Sequence, residues 1–197
     1  MALTLANKIT VVRILLIPVF IILVLYFDKS VIAGEPNSLM RRVATIVFFS
    51  IFLLDALDGY AARKRKEITR LGTLLDPLAD KAMLLSALVL LSLPSSAFSP
   101  SLPAWFVVMV ISRDVLLVGG ALIIQSIVGT VLVRPRLSGK VTTFFQSMVI
   151  IWVFLGLHHK IVYALIGIAA ALTFVSAVQY ILDGIRQLEK ANNHVGN

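Results

Sequence analysis

Cysteine is absent from the 197 residues, histidine occurs three times and acidic residues ten times. The first absence removes disulfides, thiolate nucleophiles and sulfur-ligated metals. The histidines are scattered or terminal (His158, His159, His194), so zinc and haem lack their usual ligands. Charge is scarce as well: 14% of residues are charged, against about 25% in a soluble domain. Apolar residues fill the gap, with 59% hydrophobic content and a mean hydropathy of +0.97. This is the composition of an integral membrane protein. The +8 net charge does not indicate nucleic acid, because in so apolar a chain basic residues set topology and meet anionic headgroups or phosphorylated substrates.

Six apolar stretches approach the roughly 20 residues that cross a bilayer: residues 9–27, 42–61, 73–93, 104–129, 139–157 and 160–183. They predict an all-α, polytopic bundle of six transmembrane helices, forming one domain over residues 1–197. Pro94, Pro100 and Pro103, interleaved with serines, mark an uncharged loop. With the N-terminus inside, the cytoplasmic side receives Lys8, Arg13, Arg63 to Lys66, Arg70, Arg134, Arg136, Lys140, Arg186 and Lys190, and the other side Lys29, Arg41, Arg42 and Lys160. That imbalance predicts both termini in the cytoplasm. The first apolar run has no convincing small-residue cleavage site before Asp28 and Lys29, so it reads as a span and not a signal peptide. Leu3, Leu5 and Ile9 precede it as a short amphipathic segment or a frayed end.

Against this background four carboxylates stand out, in the pattern Asp55-x-x-Asp58-Gly59-x-x-Ala62-Arg63 followed by Gly72-x-x-x-Asp76-x-x-x-Asp80. A charged side chain at the centre of a membrane helix costs about 2.5 to 3.5 kcal/mol even on lenient scales, so four acids at one membrane boundary demand compensation. Asp55 and Asp58 share a helix face, as do Asp76 and Asp80. A short basic loop joins the two segments, which should pack as antiparallel neighbours and bring the pairs together. Converging carboxylates repel unless cations intervene. All-oxygen ligation suits Mg²⁺, Mn²⁺ or Ca²⁺, and a site sharing its coordination shell with waters and substrate phosphate is Mg²⁺-like. Four acids can hold two ions, a clamp suited to displacement at phosphorus. Gly59 exposes backbone to a ligand, and Arg63 can grip phosphate bidentately. Pro77 is expected to open a helix at its first turn, and Lys81 to snorkel or pack.

The span Asp55 to Asp80 resembles, position for position, the signature of the CDP-alcohol phosphatidyltransferase family. The resemblance implies that an acceptor hydroxyl attacks the phosphorus next to diacylglycerol in CDP-diacylglycerol, releasing CMP. It further implies Asp55, Asp58 and Asp76 as metal ligands, Asp80 as second-metal ligand and general base, and Gly59, Arg63 and Thr69 as contacts to the CDP moiety. Magnesium or manganese, a homodimer, and a bacterial-type inner membrane with the site facing the cytoplasm come with it. The stretch Asn7 to Arg13 also resembles the family ahead of its first span. A carboxylate one turn beyond Asp76 is well placed to take a proton from a bound alcohol.

The acceptor should be chosen away from the signature. Arg113, inside the fourth span, needs an anionic partner, and a phosphorylated acceptor supplies one, while Asp114 beside it offers a structural alternative. Arg134, Arg136 and Lys140 add a basic cluster at the cytoplasmic mouth. Asn7 to Phe20 and Leu74 to Lys81 are similar to family members that use glycerol 3-phosphate. Ile111 to Val115 and Gly139 to Val141 resemble members whose acceptor is phosphatidylglycerol. Two other classes, a polyprenyl transferase and a cation transporter, also place acids in membrane bundles, but neither needs Gly59, Ala62 and Arg63 at this spacing.

Overall fold

The computed structural model describes residues 5–65, 70–94, 97–128 and 137–195, with side chains over 8–54, 75–94, 97–126 and 137–189. Those residues form six helices and no strand: α1 (Leu5–Ile32), α2 (Ser38–Arg65), α3 (Arg70–Ser92), α4 (Ala104–Val128), α5 (Leu137–Phe154) and α6 (His159–Val195). Four of them contain stretches long and apolar enough to cross a membrane: Lys8–Ile32, Ala104–Ser126, Leu137–Phe154 and His159–Glu189. In α3, by contrast, Asp76, Asp80 and Lys81 crowd the first half of the described segment. The chain divides into two compact units, Met1–Ser101 and Leu102–Asn197.

In the first unit α1 packs against both α2 and α3. Besides Asp28 at its far end, its buried positions are Thr10, Arg13, Ile17, Phe20, Val24 and Phe27, alternating steps of three and four residues that make one continuous stripe on a helix. The other faces are apolar too: Val12, Leu15, Ile22 and Tyr26 are exposed, as expected where the surrounding solvent is lipid. Thr10 meets Asp76 and Arg13 meets Asp80. Numbers rise together on the two helices, so α1 and α3 run parallel. At the far end Asp28 accepts the backbone N–H of Ala97 at 2.9 Å, and Phe98 lies edge-on to Phe27 with centroids 5.3 Å apart. The loop after α3 is thereby fastened to the end of α1. From Thr10 to Asp28 the helix rises roughly 27 Å at 1.5 Å per residue, close to the ~30 Å hydrocarbon thickness of a bilayer. Asn37 caps α2, its Oδ1 accepting from the N–H groups of Leu39 and Met40.

In the second unit α6 is the shared element, packing against α4 and α5. Its buried stripe is Val162, Ile166, Ala169, Thr173 and Ser176. Tyr180 donates to the carbonyl of Leu117 at 2.7 Å, and a Cβ on Gly120 would stand 3.0 Å from its ring, so that glycine makes room for the tyrosine. Ser138 pairs with Gln179 and Gln146 with Thr173, opposite numerical trends that make α5 antiparallel to α6. Gly156, at φ 65, makes the tight connection between them.

Two sequence expectations change. Residues 5–9 continue into α1 and form no separate interfacial helix. Pro77 lies inside α3, because the helix starts at Arg70, well before it. Proline has no N–H for the carbonyl one turn back, so the ladder lacks its bond from position 77 to the carbonyl of Thr73, just ahead of the acid pair.

Candidate functional site

The acids of α3 are held from α1. The hydroxyl of Thr10 donates to Asp76 Oδ1 at 2.6 Å, and Arg13 Nη2 donates to Asp80 Oδ1. Because Asp76 and Asp80 lie one turn apart, and Thr10 and Arg13 nearly so, matching helix faces bring both pairs into register. Arg13 is 2% exposed while the Asp80 side chain is 49% exposed: the donor is buried and the acceptor opens outward. Carboxylate oxygens one turn apart are the donor type that Mg²⁺ or Mn²⁺ prefers. Among the described residues no cluster of three potential ligand side chains forms.

Asp55, Asp58, Gly59 and Arg63 lie on the last part of α2, where the helical backbone sets Asp55 and Asp58 on one face. Their side chains, and hence the expected meeting of the two acid pairs, fall outside the described residues, as do Thr69, Arg134 and Arg136.

Arg113 sits in the second unit, on α4, and is 6% exposed. Its Nη1 donates to Asp114 Oδ1 at 2.8 Å and its Nη2 to Ser176 Oγ on α6 at 2.8 Å. Nε is buried with no hydrogen-bond partner among the described residues. The first turn of α5 comes close: a Cβ on Gly139 would stand 3.2 Å from Nη2. Lys140, next in that turn, is exposed. Below Arg113 the α5–α6 seam continues polar, with Gln146 Nε2 donating to Thr173 Oγ1 at 3.1 Å.

Arg13, which the sequence counts among the topology charges and within the stretch Asn7 to Arg13 that resembles the family, is buried and holds Asp80. Extending the stripe Ile17, Phe20, Val24, Phe27 backwards by the same steps lands on Arg13 and Thr10, a register signal that marks both as inward-facing. Ser176 and Gln146 carry no comparable signal, because isolated small polar residues are common in membrane helices.

The family model for CDP-alcohol phosphatidyltransferases matches residues 3–178, continuing through both units. The chain is similar to a Bacillus subtilis protein named CDP-diacylglycerol--glycerol-3-phosphate 3-phosphatidyltransferase, at 34% identity over 95% of this chain and 98% of the relative. A Haemophilus influenzae protein of the same name is 32% identical over 87% of this chain and 88% of its own length. A Mycobacterium tuberculosis protein named probable phosphatidylglycerophosphate synthase is 30% identical over 93% of this chain and 83% of its own.

Proposed function

The chain belongs to the CDP-alcohol phosphatidyltransferase family, and we propose that it transfers a phosphatidyl group from CDP-diacylglycerol to a hydroxyl of glycerol 3-phosphate, giving phosphatidylglycerophosphate and CMP. The observation that carries this reading is the acid pair of α3, one turn apart, each carboxylate held through one oxygen from α1. Similarity to relatives named for this reaction, over nearly their whole length, selects the substrates.

In the reaction the acceptor oxygen forms a bond to the phosphorus bearing diacylglycerol, and the bond from that phosphorus to the bridging oxygen of CMP breaks. Asp80 takes the acceptor's proton. Its half-exposed carboxylate is open to an incoming hydroxyl, and Arg13 fixes its orientation from the buried side. Asp55, Asp58, Asp76 and Asp80 would hold Mg²⁺ or Mn²⁺, two ions in this reading. Bound cations of this kind neutralise phosphate oxygens and support displacement at phosphorus. Thr10 orients Asp76, while Gly59, Arg63 and Thr69 receive the CDP moiety. Arg113 takes the phosphate of the acceptor, with Arg134, Arg136 and Lys140 drawing it from the cytoplasm.

The six helices serve as six spans of one catalytic domain, with both termini and the acids at the cytoplasmic face of a bacterial-type inner membrane. The parallel and antiparallel order within each unit and the distribution of Lys and Arg support that arrangement. Assembly as a homodimer completes the proposal; Gly119 and Gly167, with no atom within 4 Å of a Cβ built on them, leave helix surface for close approach.

Purified protein given CDP-diacylglycerol and Mg²⁺, with either glycerol 3-phosphate or phosphatidylglycerol, tests the reading by mass spectrometry of the lipid product. Phosphatidylglycerophosphate is expected, with CMP release stopped by EDTA and restored by Mg²⁺ or Mn²⁺. Cardiolipin as the product would overturn the acceptor. Absence of CMP release in every arm would overturn the reaction.

A further inference from the structure

The buried guanidinium of Arg113 is more constrained than phosphate recognition by charge alone requires. A guanidinium has five N–H donors in one rigid plane. In Arg113 one goes to Asp114, its neighbour on the same helix, and one to Ser176 on another helix. Two anchors on different helices fix the plane of the fork, whereas Asp114 alone would leave it free to swing. Bidentate phosphate binding depends on that plane, because two N–H groups must point in parallel at two oxygens. On the α5 side, Gly139 leaves the space that Nη2 occupies: a methyl there would stand 3.2 Å away, and the guanidinium would have to give by a few tenths of an ångström.

We infer that Ser176 and Gly139 are positioning residues for the acceptor, with Ser176 fixing the plane of the Arg113 guanidinium and Gly139 clearing the side on which it faces α5. This rests on the reading of Arg113 as the holder of the acceptor phosphate. Neither residue touches the acceptor in this account, and both act through Arg113. The Ser176 hydroxyl is suited to the task because it accepts from Nη2 without adding charge.

The test is steady-state kinetics of full-length Ser176→Ala, Ser176→Thr, Gly139→Ala and Arg113→Ala in detergent, with glycerol 3-phosphate and CDP-diacylglycerol varied separately and thermal unfolding measured beside them. A fold-only role lowers the active fraction, and so kcat, but does not move KM. Ser176→Ala is expected to raise the glycerol 3-phosphate KM about three- to tenfold, as loss of one hydrogen bond implies, with the CDP-diacylglycerol KM unchanged. Ser176→Thr keeps the hydroxyl and should stay within about twofold of the parent. Gly139→Ala should raise the acceptor KM in the same way without loss of thermal stability, since alanine is the better helix former. If Arg113→Ala raises the acceptor KM and Ser176→Ala leaves it unchanged, the positioning role is overturned and the acceptor assignment stands. If Arg113→Ala itself leaves that KM unchanged, the acceptor assignment falls and the inference with it. Should Ser176→Thr fail to fold, the Ala variant decides alone.

Discussion

On α1 the buried stripe is polar at its first two positions, Thr10 and Arg13, and apolar at the next four, Ile17, Phe20, Val24 and Phe27. On α6 the stripe Val162, Ile166, Ala169 is apolar first and turns polar at Thr173 and Ser176. Both helices sit centrally in their own unit and assemble it with the same spacing. Their polar ends have opposite chemistry. Thr10 and Arg13 donate, and what they hold is a pair of carboxylates. Thr173 and Ser176 accept, from Gln146 and from the guanidinium of Arg113. One unit therefore presents fixed anions, and the other a fixed cation.

If the first unit's anions carry the chemistry, Asp80→Asn gives the largest effect. The amide keeps the shape but cannot take a proton, so turnover should fall by about 10² to 10⁴ while CDP-diacylglycerol binding, measured by equilibrium titration, survives. Near-normal turnover by the folded variant would remove Asp80 as the base. Asp55→Asn comes next. Losing an outer partner of a metal ligand typically costs ten- to a hundredfold in metal affinity, and losing a ligand should cost at least as much. The Mg²⁺ concentration for half-maximal activity is expected to rise by more than about tenfold, and an unmoved Mg²⁺ requirement would take Asp55 out of the cation site.

A smaller effect is expected for Arg13, whose guanidinium holds Asp80 from the buried side. Replacing it by Gln removes a charge-assisted hydrogen bond worth roughly 1.5 to 3 kcal/mol, discounted because Asp80 is half exposed. A kcat decrease of about tenfold follows, with Arg13→Lys recovering part. Asp28→Ala should leave kcat and both KM values unaltered, since Asp28 fastens the loop at the other end of α1. It leaves the Ala97 N–H without its acceptor, at a cost of about 1 to 3 kcal/mol, visible as a lower thermal midpoint. A catalytic defect in that variant would break the separation between the two ends of the unit.

The helices were legible because a bilayer crossing requires long apolar runs, and each of the six stretches lies within one observed helix apart from a few terminal residues. What apolar length does not encode is where a helix starts. Pro77 suggested a first turn, whereas helix formation from Arg70 placed it in the interior. Arg113 was conspicuous because a permanent charge inside a span contradicts its surroundings. Arg13 was equally buried but lay close enough to the N-terminus to pass as a topology charge. Asp28, read only as the flank of a span, proved to be the anchor of a loop that lies 69 residues further along the chain. Such long-range partners depend on which helices become neighbours, which periodicity within one helix cannot specify.

The division of labour between the two buried arginines is most directly tested by measuring kcat and the glycerol 3-phosphate KM of Arg13→Gln and Arg113→Ala in parallel, under saturating CDP-diacylglycerol and Mg²⁺. The account predicts a kcat defect with an acceptor KM within about twofold of the parent for Arg13→Gln, and for Arg113→Ala an acceptor KM raised roughly ten- to a hundredfold. Both variants moving the same parameter, or Arg113→Ala leaving the acceptor KM where it was, would contradict it.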